Sequence, residues 1–218
     1  MGNYSTFILL APGILAALTV HEFSHGWMAY KLGDNTARDH GRLTLNPLAH
    51  LDPVGTIMLF LFHFGWAKPV PVNPYNFRGD IRDMRRGMIW VSLAGPGSNV
   101  IFAAVLGLLL QLLLATSAIN YSNTVYLMLT FGVFINLMLA FFNLLPIPPL
   151  DGSKIVEGLL PVKYLPSWQK FERMGFFVLI GIILVSRLLH IPIFGVTVLP
   201  IAGFFYGMFT GDAPLMLR

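Results

Sequence analysis

Polar and apolar positions along this chain fall into long blocks rather than short periods. Five blocks are apolar on nearly every face: Phe7–Tyr30, Met88–Thr116, Thr124–Leu145, Met174–Leu189 and Ile193–Phe209. A helix that is apolar all round has no wet face, so it belongs in a large core or in lipid. About 20 residues, rising 1.5 Å each, cross roughly 30 Å of hydrocarbon. The blocks therefore predict spanning helices. The last two are shorter and are parted by His190-Ile191-Pro192, which predicts a C-terminal helical hairpin over about 174–209. A sixth run, Val54–Trp66, lies between Pro53 and Lys68-Pro69 and is too short to span. It predicts a short re-entrant or β-hairpin segment after the first helix. The fold expected is an all-α membrane protein, a polytopic bundle of about five to six transmembrane helices.

Composition supports that picture. Of 218 residues, 56% are apolar and 11% charged, against about 25% charged in an ordinary soluble domain. So few charges cannot cover a water-facing surface, and the apolar content excludes disorder. The 14 Lys and Arg are spread along the chain, so a nucleic-acid partner is not expected. There is no Cys, which removes disulfides, thiolate nucleophiles and thiolate metal ligands. No Lys or Arg precedes the first apolar block, so it is expected as a retained span rather than a cleaved leader.

Charge adds topology. The linker Gly65–Arg86 carries Lys68, Arg78, Arg82, Arg85 and Arg86, and Pro146–Arg173 carries Lys154, Lys163, Lys170 and Arg173. Thr116–Asn123 carries no charge. Basic loops stay on the cytoplasmic side, so the first two linkers are expected inside and the third outside.

The first block contains three ionisable groups close together, in His21-Glu22-Phe23-Ser24-His25. Such groups cost about 2.5–3.5 kcal/mol each at the centre of a spanning helix, which marks them as functional candidates. His21 and His25 are four apart and share one helical face. Two imidazoles so placed can share a tetrahedral cation, and Glu22 can serve a water there as general base. A pair of core histidines bonded to backbone carbonyls is the structural alternative. Hydrocarbon, which offers no water to three polar groups, weighs against it. Catalytic zinc takes three protein ligands and keeps a fourth position open. Asp151 is the best third candidate: it follows Asn143-Leu144-Leu145-Pro146-Ile147-Pro148-Pro149-Leu150, and Gly152 permits a tight turn behind it. Its structural alternative is a cap for a helix beginning near Ser153.

The topology makes the pairing possible. If Val54–Trp66 does not cross, the first helix ends in the cytoplasm and the third descends toward it. His21, His25 and Asp151 then share the cytoplasmic half. If the run crosses, the acid lies on the other side from the imidazoles.

These residues resemble the site-2 protease family of intramembrane zinc metalloproteases. The carriers are His21-Glu22-Phe23-Ser24-His25 and, later in the chain, Asn143-Leu144-Leu145-Pro146 through Leu150-Asp151-Gly152. Gly41-Arg42-Leu43-Thr44-Leu45-Asn46-Pro47, Ala67-Lys68-Pro69-Val70-Pro71-Val72-Asn73-Pro74 and Ala94-Gly95-Pro96-Gly97-Ser98-Asn99 support it. The resemblance implies His21, His25 and Asp151 as ligands of one Zn²⁺ per chain and Glu22 as catalytic base. It implies a minimal member without a PDZ or CBS domain, occupying 1–218 as one domain with its catalytic core at about 7–160. The activity implied is peptide-bond hydrolysis in transmembrane or membrane-associated proteins within the bilayer. The setting expected is multi-pass in a prokaryotic plasma membrane, with the site toward the cytoplasm. Partners expected besides substrate and lipid are a regulatory membrane protein or a second copy of the chain.

Asn143 and Asn99 are candidates to donate to the oxyanion of such a reaction; each could instead bond backbone across a helix interface. Asn46–Asn76 could present a sheet edge to an extended substrate. His50 and Asp52 are expected to cap a turn at the membrane edge, His63 to lie buried, and Gly95 to let helices pack closely. The rival reading is a metal-ion or proton transporter using the same His, Glu and Asp groups.

Overall fold

The computed structural model describes residues 3–62, 65–78 and 84–214. His63, within the Val54–Trp66 run, lies outside them. The elements in chain order are α1 (Asn3–Lys31), α2 (Thr36–Asp39), α3 (Pro53–Phe62), α4 (Met84–Ala115), α5 (Thr124–Asn143), α6 (Asp151–Leu159), α7 (Leu165–Arg173), α8 (Gly175–Leu188) and α9 (Ile193–Thr210). The described residues are helical with connecting loops and contain no strand; Leu51 and Ala67 form one isolated antiparallel bridge.

α1, α4 and α5 pack on one another, and α9 lies against α4 and α5. Ala103, Val133, Leu137 and Ala202 are fully buried at their centre, with Phe205 and Phe209 packed around them. α4, α5 and α9 are long and apolar enough to cross a membrane. α1 runs opposite to α4, because His25 meets Val91 while Ala17 meets Asn99. The C-terminal end of α1, the N-terminal end of α4 and the C-terminal end of α5 therefore share one end of the bundle.

Local sequence explains the ends that matter. α1 stops where Gly33 takes φ +106°, a left-handed conformation that a side chain would strain. The amides of Gly33 and Asp34 then close on the carbonyls of Tyr30 and Ala29 at 3.0 and 2.9 Å. α5 starts behind Asn123, whose side chain accepts from the Val125 amide at 2.8 Å. α5 ends before Pro146, Pro148 and Pro149, which cannot continue its hydrogen-bond ladder.

Three expectations change. The β-hairpin after α1 is not found among the described residues; the ten-residue α3 takes its place. The chain enters and leaves that excursion at one point, since Leu51 pairs with Ala67 and the Lys68 amide donates to His50 O at 2.9 Å. The C-terminal pair is not a packed hairpin, because α9 packs along α4 and α5 instead. Phe194 at the start of α9 meets Phe142 at the end of α5, with ring centroids 5.2 Å apart. Five to six spans were expected, and three helices of spanning length and hydropathy are found among the described residues.

Candidate metal centre

Helical spacing puts His21 one turn before His25 on the face of α1 turned toward α4. Their Nε2 atoms are 3.0 Å apart and the rings meet edge to face. Both rings are buried, at 4% and 9% exposure. Each is held from behind at Nδ1. His25 Nδ1–H donates to the Val91 carbonyl at 2.7 Å, and His21 Nδ1–H donates to Asn99 Oδ1 at 2.6 Å. A carbonyl oxygen only accepts, so both contacts select the Nδ1–H tautomer and leave the lone pair on Nε2. Gly95 on α4 makes room for this pair: a Cβ there would overlap the ring nitrogen of His25.

The third group comes from the far side of the proline-rich turn. α6 begins at Asp151 itself, with Leu150 in extended conformation before it. Asp151 caps no helix; its Oδ2 lies 3.2 Å from His21 Nε2 and 3.3 Å from His25 Nε2. Gly152 is pressed against the carbonyls of Leu144 and Leu145, where no side chain would fit. That close approach turns Asp151 toward the imidazoles.

The donor set fits a zinc ion. Asp151 Oδ2 is buried and receives no hydrogen bond, and the two Nε2 lone pairs face it. Three electron-rich atoms in mutual contact repel one another unless a cation joins them. Tetrahedral ligands about 2.0–2.1 Å from zinc lie about 3.3 Å from each other, and the separations here are 3.0, 3.2 and 3.3 Å. His21, His25 and Asp151 are the one His or carboxylate group among the described residues that could hold a metal.

Glu22 leaves α1 one position round from His21 and lines the same cavity. One carboxylate oxygen accepts from the Val70 amide at 2.9 Å. Val70 sits on the loop 65–73, which is tied down at several points. Arg42 Nη2 donates to the Lys68 carbonyl at 2.6 Å, and the Asn73 amide donates to Asp34 Oδ2 at 2.7 Å. The cavity is about 600 Å³ and is walled by Trp66, Phe142, Phe176 and Leu179, with Lys154 at its rim. Burial alone would lower the Lys154 pKa, but its hydrogen bonds to Glu172 and Glu157 hold it above the ordinary lysine value, so it stays charged there.

The asparagines part company. Asn143 lines the cavity and spends one donor on Leu139 O at 2.9 Å. Asn99 is fully buried behind His21; its Nδ2 donates to Ala17 O at 3.0 Å and to Asn136 Oδ1 at 2.7 Å. Both of its donors are used, so Asn99 has none to offer an oxyanion. His50 Nε2–H donates to Thr44 O, and Asp52 accepts from the Gly55 amide at the start of α3, as turn-capping groups do. Sequence reading missed Asn136, the backbone of Val91 and Val70, and the contact of Gly95 with the imidazoles. Asn136 carried a signal, as an amide in the middle of an apolar block. The backbone contacts carried none.

Comparison with known proteins agrees with this geometry. The model of peptidase family M50 matches residues 115–186. The chain is 41% identical over 169 residues to a Bacillus subtilis protein named "Putative zinc metalloprotease YwhC", covering 76% of this chain and 75% of that one. It is 30% identical over 186 residues to Rip2 of Mycolicibacterium smegmatis, covering 84% and 69%. It is 31% identical over 157 residues to MJ0611 of Methanocaldococcus jannaschii, covering 71% and 73%. Both carry the same form of zinc metalloprotease name. No solved structure matches.

Proposed function

Because the chain belongs to peptidase family M50, the site-2 protease family, we propose that it is a zinc endopeptidase that cuts transmembrane or membrane-associated proteins within the bilayer. The observation that carries this reading is the meeting of three ligand atoms beside Glu22 in one cavity.

His21, His25 and Asp151 would hold the ion. Bound there, zinc would supply Lewis acidity toward water and the scissile carbonyl. Glu22 takes the proton from the attacking water and returns it to the leaving amine nitrogen. Asn143 lines the cavity, and its second N–H is the donor assigned to the developing oxyanion. Asn99 orients His21 instead. The run 65–73 offers an edge for an unwound substrate segment, in which alternate side chains enter the apolar cavity. Pro69 and Pro71 have no amide to donate and the Val70 amide is engaged by Glu22, so donation to a substrate segment falls to Val72.

α1 has 29 residues and is the fourth crossing helix beside α4, α5 and α9. α8, with 14 residues, is short of a span. Lys31, Arg85, Arg86, Lys154 and Lys163 lie toward the end of the bundle that holds the site, and basic side chains at that end support a cytoplasmic setting for it. The membrane is the plasma membrane of a prokaryote, as the bacterial and archaeal relatives favour. Substrate delivery falls to a regulatory membrane protein or to a second copy of the chain. A transporter would need a route to the opposite face. Among the described residues the far end of the bundle is closed by Leu110, Tyr126 and Ala213, with no buried carboxylate or imidazole.

The test is cleavage of a co-expressed transmembrane protein by the wild type and by Glu22→Gln. Cleavage is expected to vanish in the variant while zinc stays bound. Equal cleavage by both proteins would remove the enzyme reading.

A further inference from the structure

The two imidazoles are oriented by different means. His25 is held by backbone alone, through Val91 O. His21 is held by a side chain, Asn99, which is itself held by another, Asn136 on α5. Asn136 is fully buried, between Val133 and Leu137 on an apolar helix. A leucine would fill such a place without burying an amide, and a buried amide is costly unless it is bonded at both ends.

Both ends are bonded, and each bond can run in one direction only. Asn136 Nδ2 donates to Gly132 O at 2.8 Å, which turns its oxygen toward α4. Asn99 must then donate to that oxygen, at 2.7 Å, and also to Ala17 O, at 3.0 Å. Both hydrogens of Asn99 are used, and its own oxygen is left facing His21 Nδ1 at 2.6 Å. Reversing either amide would set oxygen against oxygen at Ala17 or at Gly132. Two backbone carbonyls on α1 and α5 thus dictate the tautomer of an imidazole on α1, through two amides. They leave the His21 Nε2 lone pair aimed at His25 and Asp151.

We infer that Asn136 is a positioning residue for the metal centre, acting through Asn99 to fix the tautomer and tilt of His21. The inference rests on the zinc reading above and adds a residue that touches neither metal nor substrate. Loss of the Asn136 oxygen frees one Asn99 hydrogen in an apolar surround. Asn99 can then turn, and His21 loses its single orienting acceptor. Partners behind a metal-bound histidine typically change affinity 10–100-fold when removed, and one step further back about tenfold is expected.

The experiment uses the full chain in nanodiscs. Zinc affinity is read by chelator competition and site geometry by the visible spectrum of the cobalt(II) form, for wild type, Asn136→Leu, Asn136→Ala and Leu137→Ala. Leu137 is equally buried on the same helix and bonds to nothing. The expected result is about tenfold weaker zinc and shifted cobalt bands for both Asn136 variants. For Leu137→Ala, a lower melting temperature with wild-type affinity and bands is expected. Wild-type affinity and bands in the Asn136 variants would overturn the inference, as would equal changes in Leu137→Ala. Should no Asn136 variant fold, ¹⁵N spectra of histidine-labelled, metal-free wild type decide: Nδ1–H at His21 supports the relay, and Nε2–H overturns it. A wild type that binds no zinc would sink the metal reading itself. Tight zinc in the Asn136 variants would sink the relay alone.

Discussion

Asp151 and Asp34 are both withdrawn from water, and they sit in opposite chemical company. Asp34 follows the end of α1 and is completely buried. It accepts from the Thr36 amide at 3.0 Å, the Thr36 hydroxyl, the Asn73 amide at 2.7 Å and Asn76 Nδ2 at 2.9 Å. Every lone pair that matters has a donor. Asp151 Oδ2 has none and faces two imidazole lone pairs. A buried acid with a full set of donors is finished as a structural element. One that faces only other electron pairs is finished by a cation. The two acids also divide the labour of the site: Asp151 belongs to the metal, while Asp34 pins the run that carries Val70 over Glu22.

The comparison breaks most sharply at the metal. Asp151→Asn or His25→Ala should abolish stoichiometric zinc, measured by metal analysis of the purified chain, whereas Asp34→Asn should retain it. A metal-free Asp34→Asn protein would erase the distinction between the acids. Next in size is Gly95→Ala. Its methyl group would press on the His25 ring, so zinc should bind about 10–100-fold more weakly in a protein that still folds, read by chelator competition. Unchanged affinity would mean that the helices give way there.

At Asp34 the expected loss is one of stability. Asp34→Ala leaves the Asn73 and Thr36 amides without an acceptor, which should cost about 1–3 kcal/mol, read as a lower melting temperature. The pH dependence sharpens the same point. Burial pushes the Asp34 pKa up, but the bonds from Thr36, Asn73 and Asn76 outweigh it and hold the carboxyl below its ordinary value. A lowered folded-state pKa gives stability that is present above the unfolded pKa of about 3.9 and is lost as pH falls through the folded value. Wild type should therefore lose melting temperature more steeply than Asp34→Asn below about pH 4. Parallel curves would show that folding leaves the proton affinity of the Asp34 carboxyl unchanged. The smallest effect is expected at the partly exposed Lys154, where Lys154→Met breaks the ion pairs with Glu157 and Glu172. It should move stability by less than about 1 kcal/mol and leave zinc unchanged.

What could be read in the sequence follows from this contrast. Helical periodicity alone puts His21 and His25 on one face. Hydropathy blocks and loop charges put Asp151 at their end of the bundle, and both appear in the structure. The end of α1, the end of α4 and both ends of α5 were legible to within two residues, because the apolar blocks end at Tyr30 and Thr116, begin again at Thr124 and end at Leu145 before Pro146. The helical form of the α3 excursion was not legible, because a short apolar run fits a helix or a hairpin equally well; the Leu51–Ala67 bridge, a tertiary contact, shows how its ends meet. The packing of α9 away from α8 was hidden for the same reason, since Phe194 and Phe142 are distant in sequence. Asn99 was legible as a polar group in an apolar helix, and of its two readings the bond to backbone across a helix interface is the one found, at Ala17 O. Spacing cannot show that both of its hydrogens are already engaged by Ala17 and Asn136.

X-ray absorption at the zinc edge of the purified full-length chain tests the central claim most directly. Two imidazole nitrogens and one carboxylate oxygen at about 2.0–2.2 Å, with the carboxylate contribution lost together with the metal in Asp151→Asn, are the predicted result. Zinc that is absent from the wild type, or that keeps an unchanged spectrum in Asp151→Asn, would contradict the account.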